Sequence, residues 1–95
     1  MADIKQYSRQ SLEKRLTGRL GTWYMTFFIL RHKSPEAERQ LGLVTEVLSS
    51  RPIEETVQIY HYIKRCINAS ATLEDYEQAA FLRDMGDHYY QHVLG

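Results

Sequence analysis

The 95 residues include one cysteine, two prolines and one tryptophan, and they carry no net charge. Each scarcity excludes something. Cys66 alone cannot close an internal disulfide, so a stapled secreted mini-domain is excluded and a reducing compartment is expected. The longest apolar run, Trp23–Leu30 with Thr26 inside it, is far below the roughly 20 residues that span a bilayer. Met1–Arg19 is polar and mixed in charge, unlike a secretory leader, so a cytoplasmic protein is expected. There are no internal repeats and no low-complexity tracts. Gly18 and Gly21 sit among Arg and Leu without a preceding strand, so they do not form a phosphate loop. A chain of this length makes one domain, 1–95, and buries only about 60–65% of its unfolded surface. Little room remains for an enclosed pocket with a catalytic apparatus, and no enzyme is expected.

What is present reads as a folded globule. Hydrophobic residues make up 43% and charged residues 25% of the chain, which argues against disorder. The charge is polarised along the chain. Met1–Lys33 holds seven bases against two acids, and Ser34–Gly95 holds five bases against ten acids. The simple consequence is mutual attraction of the two parts on folding. The alternative is a docking face for a charged partner.

The apolar periodicity predicts an all-α fold: a small bundle of about four helices arranged as two antiparallel helical hairpins. The first helix is expected from about Ser8 to Leu30, with Leu12, Leu16, Leu20, Trp23, Tyr24, Phe27 and Leu30 on one stripe. Gly18 and Gly21 weaken it, and Thr22–Leu30 is rich enough in strand-favouring residues to make a strand the competing assignment. Ser34-Pro35-Glu36 places a cap, a first-turn proline and an acid in order, opening a second helix to about Ser49. Its apolar face is Ala37, Leu41, Val44 and Leu48. Pro52 opens a third helix with Val57, Tyr60, Ile63 and Ile67 on its apolar face. A connection near Ser70–Thr72 leads to the fourth, with Thr72 and Asp75 at capping-box spacing. Tyr76, Ala79, Ala80, Leu82, Met85, Tyr89 and Val93 carry the pattern to the end.

One stretch carries more than periodicity. In Ile67–Met85, Ile67, Ser70, Ala71, Asp75, Tyr76, Glu77, Ala79, Ala80, Leu82, Arg83, Asp84 and Met85 fall in a fixed order without a gap. Small residues at 70, 71, 79 and 80 let two helix backbones approach, and Tyr76 is placed to fill the seam between them. The order resembles the UVR motif, a helical hairpin of the repair proteins UvrB and UvrC and of the Clp protease system, in ClpC unfoldases and McsA-type regulators. Ser70 departs from the motif's usual alanine, and Gly86 weakens the second helix where the motif usually continues it. The resemblance covers about a fifth of the chain. It implies a hairpin over 57–93 that contacts another protein through Ile67, Asp75, Tyr76, Glu77, Ala79, Ala80, Leu82, Arg83 and Asp84. No nuclease, helicase or unfoldase domain accompanies it. The implied role is therefore a free-standing bacterial or bacteriophage adaptor or regulator, with a Clp AAA+ unfoldase or protease component as preferred partner and a UvrB/UvrC-type interaction module as the alternative.

Other constellations rank lower. The second functional reading is a nucleic-acid-binding regulator whose first helix presents Lys5, Arg9, Lys14, Arg15 and Arg19, although dedicated DNA-binding domains are strongly basic overall. The aromatic group Trp23, Tyr24, Phe27 and Phe28 spans two helical faces, wider than a small core needs, which leaves part of it for a homodimer or partner interface. His88 and His92 share a helical face with Asp84, but no Cys, Asp or Glu completes a recognised zinc pattern. His61 and Cys66 face different directions. No metal and no cofactor is expected.

Overall fold

The computed structural model describes residues 7–15 and 17–95. Every regular element among them is helical, so the fold is all-α. The helices fall into two compact units, 1–51 and 52–95, each built on an antiparallel helix pair.

In the first unit the expected single helix is two. α1 spans Arg9–Glu13 and α2 spans Thr17–Leu30. Ser8 caps α1 by accepting the Ser11 N–H at 3.1 Å. The helix then tightens, with the Arg15 N–H donating to the Leu12 carbonyl at 3.0 Å. Thr17, Gly18 and Gly21, three weak helix formers, follow directly after this turn. Leu16 of the expected stripe lies outside the described residues, as does Lys5 of the basic group. The competing strand over 22–30 does not form. Leu20, Tyr24, Phe27 and Phe28 are buried at helical spacing, and burial of that stripe overrides local strand preference.

The breadth of the aromatic group has a local use. Trp23 is half-buried under Tyr7, whose ring stacks on it with centroids 4.5 Å apart, and the Arg15 guanidinium lies 5.3 Å from the indole centroid.

α3, Pro35–Ser49, begins as its sequence signals require. Ser34 accepts the Ala37 N–H at 3.4 Å, and Pro35 takes the first turn. Ala37, Leu41, Val44 and Leu48 are buried as expected, joined by Val47 and Gln40. Gln40 is satisfied within the core. Its amide donates to Glu36 at 3.0 Å, and its carbonyl oxygen accepts the Tyr7 N–H at 3.1 Å. Together with the Arg9 guanidinium donating to Ser50 Oγ at 3.2 Å, this fastens Tyr7 and Arg9 along α3.

The second unit is the hairpin of α4, Ile53–Thr72, and α5, Tyr76–Tyr89, followed by a π-helical turn over Tyr90–Leu94. The core stripe of α4 is Thr56, Ile59 and Ile63. Ile63 is buried as expected, but Thr56 and Ile59 replace Val57 and Tyr60 in the core, and Val57, Tyr60 and Ile67 are only half-buried. Thr56 can occupy the core because its hydroxyl donates to the Ile53 carbonyl at 2.9 Å, which hides its polarity. α5 answers with Ala79, Leu82, Met85, Gly86 and Tyr89, all buried. The Tyr89 hydroxyl donates to the Thr56 carbonyl at 2.8 Å, and Gly86 lies opposite Ile63 and Ile67, so the two helices run antiparallel.

Gly86 is the close approach of the hairpin. A Cβ there would meet Ile63 Cγ2 at 3.5 Å and Ile67 Cδ1 at 3.8 Å, which is ordinary van der Waals contact. Gly86→Ala is therefore expected to stabilise the protein by up to about 1 kcal/mol through helix propensity. Gly42→Ala, where nothing lies within 4 Å, is the matched comparison in urea unfolding. A destabilised Gly86→Ala beside a stabilised Gly42→Ala would show that the seam has no room for a methyl group.

Candidate protein-binding site

The tip of the second hairpin is built by two interlocking caps. α4 runs past the connection expected at 70–72 and ends at Thr72, whose hydroxyl donates back to the Asn68 carbonyl at 2.9 Å. The Asp75 N–H then donates to the Ser70 carbonyl at 2.9 Å, and the Glu74 N–H to the Ala71 carbonyl at 3.0 Å. This is the Schellman arrangement, which calls for a left-handed residue at the position of Glu74. Glu74 adopts φ 60°, a backbone region usually left to glycine. Asp75 closes one cap and opens the next by accepting the Gln78 N–H at 3.2 Å. The capping role thus belongs to Asp75 alone, because Thr72 is still inside α4.

The residues of the UVR-like stretch divide into two sets. Ala79, Leu82 and Met85 are buried in the hairpin, and Ile67 is half-buried against Gly86. Asp75, Tyr76, Glu77, Ala80, Arg83 and Asp84 are exposed. Tyr76, Ala80, Arg83 and Asp84 recur at helical spacing, so they form one outward face of α5. Two details correct the expected packing. Tyr76 does not fill the seam, being 65% exposed. Of the four small residues, only Ala79 is buried, with Ser70 half-buried and Ala71 and Ala80 exposed. Gly86 supplies the close approach instead.

Leu73 belongs with this site, although the motif pattern does not single it out. It is 80% exposed at the tip, three residues before Tyr76. Leu73–Glu77 therefore offers two large apolar side chains among three carboxylates and no base. The tip thus presents an exposed apolar pair on an acidic, doubly capped turn.

The basic residues of the first unit do not form one helical stripe. Arg9 is on α1 and pairs with Glu13 at 3.3 Å. Lys14 and Arg15 occupy the break, and Arg19 is on α2. Ser8, Gln10, Ser11, Lys14 and Arg15 line an open depression of about 350 Å³. Among the described residues, no group of three or more His, Cys, Asp or Glu could hold a metal ion, and no helix is long and apolar enough to cross a membrane.

No protein-family model, curated protein or solved structure matches the chain.

Proposed function

We propose that this chain is a non-enzymatic cytoplasmic adaptor or regulator that docks on another protein through the tip and outer face of the α4–α5 hairpin. The observation that carries this reading is the pair Leu73 and Tyr76, exposed at a tip whose backbone is fixed by caps on both sides. Burial of each against a partner is worth about 1.5–3 kcal/mol. The left-handed Glu74 adds support, since a non-glycine residue held in a sparsely populated conformation is a feature that gathers at functional turns. Arg83 and Asp84 extend the surface along α5. The UVR-like order of residues directs the choice of partner to a Clp-type AAA+ unfoldase or protease component, ahead of UvrB/UvrC-type repair proteins.

The test is direct titration of purified ClpC-type unfoldase, and of UvrB as comparator, with wild type, Leu73→Ser and Tyr76→Ala. Both side chains are exposed, so each variant should keep wild-type stability within about 0.5 kcal/mol. Each substitution is expected to raise the Kd for the unfoldase about tenfold or more, or 1.4 kcal/mol and above. Absence of binding, or equal affinity of all three proteins, would sink the reading. Binding to UvrB alone would move the partner to repair.

A further inference from the structure

We propose that His88 and His92 form an open, two-imidazole chelate for a divalent transition-metal ion. The pair lies at the opposite end of α5 from the docking tip. The sequence rules look for three or four ligands in a zinc pattern, and this chain has none. The geometry offers a smaller site. The two rings lie with centroids 4.3 Å apart and planes 37° apart. His88 is half-buried in the last turn of α5, which limits its freedom, and His92 is exposed in the π-helical turn, which leaves the pair open to solvent. Two imidazoles bound to one tetrahedral ion at a Zn–N distance of about 2.0–2.1 Å place their centroids about 5 Å apart. Opening from 4.3 Å to that spacing is a side-chain rotation and leaves the helix in place.

The chemistry of the pair sets its selectivity. Neutral imidazole suits Cu²⁺, Ni²⁺ and Zn²⁺, with Cu²⁺ the tightest of these, and it does not suit Mg²⁺ or Ca²⁺, which take oxygen ligands. Asp84 lies one turn before His88 but two turns before His92, too far along the helix to share the ion. Water fills the remaining positions. The site is therefore an exchangeable one, and its ion cross-links the end of α5 to the turn over 90–94. That cross-link exists only while the helix is formed, so the ion stabilises the folded state.

Isothermal titration of the 95-residue chain with Zn²⁺, and with Mg²⁺ as the hard-cation control, tests the proposal. One equivalent of Zn²⁺ is expected to bind, and Tm to rise with Zn²⁺ concentration. Loss of either ligand, in His88→Asn or His92→Asn, is expected to weaken binding about tenfold or more and to remove the Tm shift, by analogy with the cost of disturbing a metal's ligand shell. His61→Asn, on α4, should behave as wild type. Zn²⁺ binding that persists unchanged in both His88→Asn and His92→Asn overturns the proposal. So does equal binding of Mg²⁺, or no saturable Zn²⁺ binding up to about 1 mM, which is weaker than about −4.1 kcal/mol.

Discussion

Tyr89→Ala is expected to cost about 3–5 kcal/mol, the range for deleting a large buried aromatic side chain. A native domain has about 5–15 kcal/mol in total, so the variant should sit at the edge of unfolding at room temperature. Tyr89 is fully buried and, with Tyr24, is the largest such side chain among the described residues. Its ring lies parallel to that of Tyr60, with centroids 6.3 Å apart, and its hydroxyl reaches across the hairpin to the Thr56 carbonyl. Alanine leaves a cavity where α4 and α5 meet and removes that hydrogen bond together. Tyr89→Phe separates the two effects. It keeps the ring and removes only the bond to Thr56, for about 1 kcal/mol. Urea unfolding followed by far-UV circular dichroism measures both. A Tyr89→Ala variant within about 1 kcal/mol of wild type would mean that the hairpin does not depend on this contact.

Tyr89 also shows what a sequence can specify and what it leaves open. Its place on the apolar face of the last helix follows from spacing alone, because Leu82, Met85 and Tyr89 recur at three- and four-residue steps. The same reasoning finds Ser34, Pro35 and the α3 face, where capping chemistry and periodicity agree. It succeeds only in part on α4. Of Val57, Tyr60, Ile63 and Ile67, Ile63 is buried as expected, while Thr56 and Ile59 take the core places expected for Val57 and Tyr60. Thr56 scores as polar until its hydroxyl is seen to be satisfied by the Ile53 carbonyl, and that bond exists only once the helix does. The break after Glu13 is hidden for a related reason. Leu12 and Leu20 are both buried at a spacing that fits one continuous helix, and two short helices can satisfy that pattern equally well.

The candidate site was legible as a hairpin and not as a surface. Small residues signal that helices approach, but they do not say which of them lie in the seam. Gly86, noted in the sequence as a weak point of α5, is the residue that faces Ile63 and Ile67. Tyr76 is exposed at the first position of α5, although it lies only three residues before the buried Ala79 and so close to the inward face of the helix. Leu73 carries no signal at all in a periodic reading. Its exposure follows from its position at the end of α4, where the next residue turns left-handed and the chain reverses.

Alkaline pH is expected to unfold the hairpin through this same Tyr89, and with a definite sign. Burial raises the pKa of the Tyr89 hydroxyl well above the ordinary value for tyrosine, because the phenolate would have to leave water. Donation of the O–H to the Thr56 carbonyl at 2.8 Å favours the neutral form as well. The unfolded chain releases this proton near pH 10, and the folded chain holds it to higher pH. Below pH 10 both states keep the proton, and Tyr89 contributes its full stabilisation. Above pH 10 the unfolded state ionises first, so stability falls by about 1.4 kcal/mol per pH unit from this group until the folded hydroxyl titrates too. Tyr89→Phe has no proton to lose. It should begin about 1 kcal/mol less stable at neutral pH and then decline less steeply, so that the two proteins converge and cross as pH rises past 10. Urea midpoints measured at half-unit steps through that range decide the matter. Parallel declines in the two proteins would show that Tyr89 reaches solvent readily enough to ionise in the folded state, and that the hairpin opens at its α5 end far more easily than its packing implies.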